Sequence, residues 1–218
     1  MSENKLDLIF KAYDIRGIFG ETLTPEIAYK IGYAYAEFVE SEKIIIGHDG
    51  RLSNKEMLNA VASGIKKNNK SILYIGTVPT DVVYSLSGLN QLPGVIITAS
   101  HNPKEWTGLK FCKKGATPVG IETGLLEIKD KVANLNIDIE IHNNFEEENL
   151  IDSYIKHLNS IVETKNIDDS ISFGIDAGNG ALGSVIKNLK NSYNLNFEAL
   201  YMDVDGNFPN HPADPSDE

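Results

Sequence analysis

The chain has one cysteine and one tryptophan in 218 residues. With Cys112 alone, no intrachain disulfide can form, and the usage fits a reducing cytoplasm. Positive charge is also scarce. Twenty Lys and Arg face 31 Asp and Glu, a formal net charge of −11, which argues against nucleic acid or an anionic membrane surface as the main partner. A small anionic substrate stays open, because a few local basic side chains outweigh distant net charge. No apolar run approaches the roughly 20 residues of a membrane-spanning helix. Met1–Lys5 opens no signal-peptide pattern, since no apolar segment of the needed length follows its charges. No internal repeat is evident. What is present is ordinary: 41 % hydrophobic and 23 % charged residues, enough apolar material for a sizeable core.

Strand-like and helix-like segments alternate. Thr24-Pro25 opens a helix, with threonine as N-cap and proline in the first turn, and Ile27, Ile31, Ala34 and Phe38 recur at helical spacing. Lys43–Gly47 reads as a buried strand. Ser53-Asn54-Lys55-Glu56 has the form of a capping box, starting a helix that buries Met57, Leu58, Val61 and Ile65. Strands are predicted over Ser71–Gly76, Val95–Thr98 and Leu109–Lys113. Thr80 is the expected cap of a short helix through Leu86, and a single helix is expected over Ile121–Leu135. Near 136–150 the composition turns to asparagine and the acidic run Glu146-Glu147-Glu148. A helix at Ile151–Val162 follows, then a strand at Ile171–Asp176, a glycine turn, a helix through Leu189 and a strand at Phe197–Tyr201. The reading is an α/β domain over 1–145 and the start of a second over 146–218. Two strands are too few for an independent sheet, so the chain reads as truncated within that second unit.

Thr98-Ala99-Ser100-His101-Asn102-Pro103 is the segment with the most chemistry in it. A serine leaves a short apolar strand, a histidine able to donate to an anion stands next to it, and a proline stiffens the turn. Lys110 lies one strand away. The alternative is a loop serine that merely caps a turn. An acyl-transferring serine would sit in Gly-x-Ser-x-Gly, and both glycines are absent.

This run, with Gly108 and Lys110, resembles the phosphoserine loop of the α-D-phosphohexomutases, most closely the phosphomannomutase/phosphoglucomutase branch. Lys11-Ala12-Tyr13-Asp14-Ile15-Arg16-Gly17, Gly47-His48-Asp49-Gly50-Arg51-Leu52-Ser53 and Asp205-Gly206-Asn207-Phe208-Pro209-Asn210 agree with that family in order and spacing. The resemblance implies a three-layer α/β/α domain with a mixed sheet, followed by the start of a second similar domain. It implies an enzyme, an isomerase that moves a phosphoryl group between O1 and O6 of a hexose phosphate. A phosphorylated Ser100 would be the carrier and a hexose 1,6-bisphosphate both the intermediate and the activator. Phosphoserine carries about −1.5 to −2 charges at neutral pH, which calls for cations, and Mg²⁺ prefers phosphate and carboxylate oxygens. By position Lys110 matches the family's general acid/base, a role for which a lysine needs burial or cationic neighbours. Arg16 matches the arginine that supports proton transfer, with electrostatic support as its chemistry. Tyr13, with Arg16 and Lys110, matches substrate-contacting positions, and His101 lines the phosphoserine. Metal binding through this chain would run through the phosphate on Ser100, since the family's aspartate loop, sugar-discriminating loop and phosphate clamp all lie downstream of the matched segments.

Alternatives accompany several of these residues. Arg16 could be a surface salt bridge, Tyr13 a core ring, and Asp49 with Arg51 a local ion pair steadying a turn. Thr107 stands where the family often has asparagine; it keeps a hydrogen-bonding group, so a tuned loop and not a lost one is expected, and Trp106 would stack on sugar or cover the loop. Gly178-Asn179-Gly180-Ala181-Leu182-Gly183 matches Gly-x-Gly-x-x-Gly, with Asp203 about twenty residues on, the pattern of a dinucleotide site. The rival functions are therefore an NAD-binding oxidoreductase fragment and a non-catalytic protein that keeps the fold. Asp203-Val204-Asp205 reads as a polar turn.

Overall fold

The structure is a computed structural model, and it describes residues 5–143, 145–162, 170–193 and 196–216. In chain order the elements are α1 (Lys5–Ile9), β1 (Ile15–Ile18), α2 (Pro25–Phe38), β2 (Lys43–His48), α3 (Asn54–Lys67), β3 (Ser71–Thr77), α4 (Thr80–Asn90), β4 (Gly94–Ile97), β5 (Trp106–Lys113) and β6 (Thr117–Pro118). Then come α5 (Leu125–Asn134), α6 (Ile151–Ile161), β7 (Phe173–Asp176), α7 (Gly183–Tyr193) and β8 (Phe197–Leu200).

The first sheet runs β1-β5-β4-β2-β3, with β6 paired to the end of β5. β2 is parallel to β3 and β4, whereas β5 is antiparallel to both β4 and β1. Alternation along the strands divides the core. Ile44, Ile46, Val95, Ile97, Leu109 and Phe111 face a cluster built with α2, α3 and α5. Ile45, Leu73, Ile75 and Ile96 face the other way, onto Val82, Val83 and Leu86 of α4 and Tyr154 and Ile155 of α6. The result is the expected α/β/α sandwich with a mixed sheet. β7 and β8 form a separate parallel pair flanked by α7.

Thr24 caps α2 as expected, accepting from the Ile27 amide at 3.4 Å ahead of Pro25. Other local expectations fail. Ser53 makes no capping bond; its own backbone is already helical, and its buried Oγ finds no partner among the described residues. Asn54 ties the turn instead, donating from Nδ2 to the backbone oxygen and Oδ1 of Asp49, each at 2.7 Å. Thr80 is inside α4; Pro79 holds the cap position without a side-chain bond, and the helix continues to Asn90. The segment 121–135 is a short 3₁₀ turn at Ile121–Thr123 and then α5, broken by Gly124 at φ 146°. The Phe38 ring fills the space beside that glycine, 2.2 Å from where a Cβ would stand. β1 lies in what reads as a loop, and β5 begins at Trp106, three residues earlier than predicted.

α2 and α3 pack backbone to backbone. A Cβ on Gly64 would lie 2.0 Å from the Tyr29 carbonyl oxygen, and one on Gly32 would lie 2.4 Å from that of Val61. Rigid backbone cannot give way there, so Gly64→Ala is expected to lower stability by about 2 kcal/mol through overpacking. In a thermal melt that corresponds to a fall of about 5 °C for a chain of this size.

Candidate active site

The parallel pairing of β2 with β4 brings the ends of both strands to one edge of the sheet. His48 pairs with Ile97, and the Asp49 amide donates to the Ile97 carbonyl at 3.0 Å. The turn after β2 and the serine loop after β4 are therefore neighbours at the carboxyl end, the usual place for ligands in an open α/β sheet. Ser100 is exposed at the tip and sits in the left-handed region, φ 56°. A non-glycine residue there is strained by about 1–3 kcal/mol and needs its surroundings to hold it.

Arg51 supplies most of that hold. Its side chain is fully buried, and its guanidinium donates to four carbonyl oxygens of the loop: Ser100 at 2.8 Å, Asn102 at 2.6 Å, Pro103 at 2.6 Å and Trp106 at 3.1 Å. The fifth direction goes to Asp49, 3.2 Å from Nε. Five donors in a rigid fork suit this task as no other side chain does. Burial pulls the guanidinium below its usual pKa and the Asp49 carboxylate opposes that; an arginine starts high enough to remain charged. The local ion pair expected for Asp49 and Arg51 is present, but it is the smaller part of what Arg51 does.

Arg16 grips the loop from the other side. It donates to the Asn102 side chain at 2.6 Å and to the Ala99 carbonyl at 3.4 Å, while its Nε and Nη2 meet Asp14 at 2.9 and 2.8 Å. Lys110 Nζ lies 3.5 Å from the same Asp14 oxygen. β1 pairs Arg16 with Gly108, and Gly108 and Lys110 fall on one face of β5. The glycine is needed for that approach: a Cβ there would lie 2.4 Å from the Ile15 carbonyl oxygen. Arg16, Asp14 and Lys110 thus form one cluster behind the loop. Lys110 is partly buried, its direct partner is the Asp14 carboxylate that it shares with the cationic Arg16, and among the described residues no hydrogen bond or ion pair joins it to Ser100. Tyr13 is 81 % exposed, which excludes the core-ring alternative. Thr107 is fully buried on β5, and its Oγ1 has no partner among the described residues.

Ser100 and His101 open onto a cavity of about 610 Å³ whose far wall is the second unit, including Asp176, Gly178, Leu182 and His211. The Gly-x-Gly-x-x-Gly turn is on this wall, but its asparagine is already engaged. Asn179 Nδ2 donates to the Asp203 carbonyl at 2.9 Å, and its Oδ1 accepts from Asn210 at 2.7 Å. The motif is a bracket for the segment after β8. His211 Nδ1 meets the Pro212 carbonyl at 2.8 Å and Nε2 meets Asp176 at 3.3 Å. Both partners are acceptors, so the protonated imidazole satisfies both contacts at once, and the first contact more than the second raises the pKa of His211. Asp176 is lowered, chiefly by the Gly178 amide and also by His211.

Among the described residues no group of three or more His, Cys, Asp or Glu side chains is placed to hold a metal ion. The nearby carboxylates of Asp14 and Asp49 are committed to Arg16, Lys110 and Arg51. These residues by themselves do not fit a Mg²⁺ site, and the phosphate on Ser100 would be their one contribution to it. Among the described residues no helix is long and apolar enough to cross a membrane.

Two residues outside the sequence-based site set prove central, Asp14 and the loop-holding Arg51. Both lie in segments singled out by resemblance, and the signal was there in an arginine and an aspartate beside strand ends; which carbonyls they reach is a matter of tertiary contact.

Fold and loop together define the class: an α/β/α domain that holds one strained, exposed serine at the carboxyl edge of its sheet, with Arg16, Asp14 and Lys110 at its back. The sequence profile of phosphoglucomutase/phosphomannomutase, alpha/beta/alpha domain I, matches residues 7–136, and the chain belongs to that family. It is 35 % identical over 219 residues to a phosphomannomutase of Vibrio cholerae serotype O1, covering 94 % of this chain and 47 % of that protein. It is 37 % identical over 214 residues to a phosphoglucomutase of Neisseria gonorrhoeae, covering 95 % and 45 %. The crystal structure of a phosphoglucomutase/phosphomannomutase family protein from Burkholderia thailandensis superposes with a TM-score of 0.81 at 28 % identity, over 98 % of this chain and 48 % of that one. The chain spans about half the length of the curated relatives it matches.

Replacing Arg51 with methionine removes the guanidinium from the four loop carbonyls and from Asp49 Oδ2. The expected loss is about 3 kcal/mol, in line with breaking a buried charged network, read as a shift in the urea midpoint. The His211–Asp176 contact has a defined pH window. Its histidine contribution is full at low pH and disappears as pH rises through a value above the ordinary 6.5; the aspartate contribution disappears as pH falls through a value below 3.8. An NMR titration of His211 should show that elevated midpoint, and Asp176→Asn should lower it only in part, because Pro212 remains.

Proposed function

We propose that this chain is the phosphoryl-carrying portion of a sugar-phosphate mutase, with Ser100 as carrier. The observation that supports this most is the strained, exposed Ser100 held by the two arginines at the carboxyl edge of the sheet. Phosphoryl transfer depends mainly on positioning and charge stabilisation, and the loop is built for position. A phosphoryl group on Ser100 Oγ would pass to the free hydroxyl of a hexose monophosphate, giving a hexose 1,6-bisphosphate; that intermediate would turn over and return its other phosphate to the serine. Arg16 stays cationic and steadies charge beside the loop. Lys110, behind it with Asp14, is proposed as the group that exchanges a proton with the serine and the sugar hydroxyl. His101 lines the phosphate, and Tyr13, exposed beside Arg16, is proposed to meet the sugar. Mg²⁺ would act with the phosphate, its carboxylate ligands coming from outside the described residues.

The remaining assignments are proposals of the same kind. The division at 145/146 follows the composition change, although α6, on the far side of it, packs its Tyr154 and Ile155 against the cluster that contains α4. The partner is a hexose phosphate, and the compartment is a reducing cytoplasm, in which the single buried Cys112 stays a thiol. The dinucleotide alternative has lost its cradle to the bracket at Asn179.

The test is covalent. Purified protein is incubated with a hexose 1,6-bisphosphate and Mg²⁺, and its intact mass is compared with that of Ser100→Ala. One phosphoryl adduct on the parent chain and none on the variant is the expected result. No adduct on either, before or after incubation, would remove Ser100 from the carrier role.

A further inference from the structure

The segment after β8 looks like a polar tail in sequence, yet it reaches the underside of the serine loop. From Asn179 it runs through Asp203, held by the asparagine side chain, and Asp205, whose amide donates to the Asn179 carbonyl at 3.0 Å. It then turns over itself: Asp205 Oδ1 accepts from the amide of Asn207 at 2.9 Å, and the Phe208 amide donates to the Asp205 carbonyl at 3.1 Å. The turn is pressed against the Gly50–Leu52 backbone. A Cβ on buried Gly206 would stand 2.6 Å from the Gly50 carbonyl oxygen and 2.7 Å from the Leu52 amide nitrogen. From there Phe208 lays its ring 5.4 Å from the centre of the Arg51 guanidinium.

We infer that Phe208 and Gly206 are positioning residues for Ser100, acting through Arg51: the second unit clamps the guanidinium, and the guanidinium holds the serine loop. The geometry gives each element one job. The fork of Arg51 has all its donors in plane, on Asp49 and the four loop carbonyls. The Phe208 ring, 5.4 Å from the guanidinium carbon, adds a cation–π attraction to that in-plane set and helps keep water from competing for the donors. Gly206 permits the ring to arrive, because any side chain there would lift the turn off Gly50. The cavity beside Ser100 is walled by both units, so the same contact that closes the wall also fixes the serine. The consequence for catalysis rests on the phosphoserine reading above; the coupling itself does not.

The coupling is read without any sugar, by hydrogen exchange on the full chain. The loop offers two reporters, the Asn102 amide on the Ala99 carbonyl at 3.1 Å and the Trp106 amide on the Pro103 carbonyl at 3.0 Å. Phe208→Leu keeps an apolar side chain and removes the ring. Its loop amides should exchange about three- to tenfold faster, the range that loss of a shielded cation–π contact implies. Amides of β2 should stay as in the parent. Phe208→Tyr, which keeps the ring, should restore loop protection, and Gly206→Ala should loosen the loop as Phe208→Leu does. Loop exchange unchanged in Phe208→Leu would overturn the inference, as would faster exchange spread equally over β2 and the loop, which marks a merely structural role. The phosphoryl adduct on the parent chain is scored separately, so failure of the carrier role and failure of the coupling are distinguishable.

Discussion

The buried guanidinium of Arg51 is the constraint on which the site depends. A serine in the left-handed region must be held there, and the loop around Ser100 has little regular backbone pairing with which to hold itself. Its carbonyls converge instead on one side chain, itself kept in place and compensated by Asp49. An unpaired charge in that position would be costly; with five acceptors around it, the charge becomes the organising centre. Everything nearby serves this arrangement. β2 and β4 run parallel so that the arginine's turn and the serine's loop emerge side by side, and Asn54 ties down the turn on which Asp49 sits.

A second cluster gathers cationic side chains beside the loop of a chain whose net charge is −11. Arg16 and Lys110 share Asp14, and Arg16 reaches from it to the loop. Such local fields fall off over about 8–10 Å in physiological salt, so distant surface carboxylates matter little at the serine. The shared aspartate also orients two long side chains that would otherwise spend their freedom in solvent. Beyond the cluster the cavity passes to the second unit, where the Asn179 bracket keeps the segment after β8 against the first domain.

Much of this was legible in the order of residues. The triple isoleucine of β2, the apolar stripe of α2 and the Thr24-Pro25 start are local signals with local causes, and they folded as read. The serine loop, too, was recognisable from a short run of residue types. The misreadings share a different cause. Ser53, Thr80 and the segment 121–135 have the right residues for the predicted caps and helix, but their surroundings differ: Ser53 caps α3 by position and leaves the tying of the turn to the Asp49–Asn54 contact, Pro79 takes the cap position before Thr80, and the distant Phe38 ring requires Gly124 to remain a break. β1 has only four residues, and the strand they pair with, β5, lies about ninety positions away.

Sequence alone therefore determined the layered α/β class and the family resemblance, and it singled out Ser100, because each of these is written in spacing or in a contiguous motif. Tertiary structure decided which side chains serve that serine. Arg51 comes from 49 residues before it, Asp14 and Arg16 from the opposite edge of the sheet, and Phe208 from another unit of the chain. A guanidinium can satisfy five acceptors only where the fold has already gathered them, and no local pattern specifies that meeting.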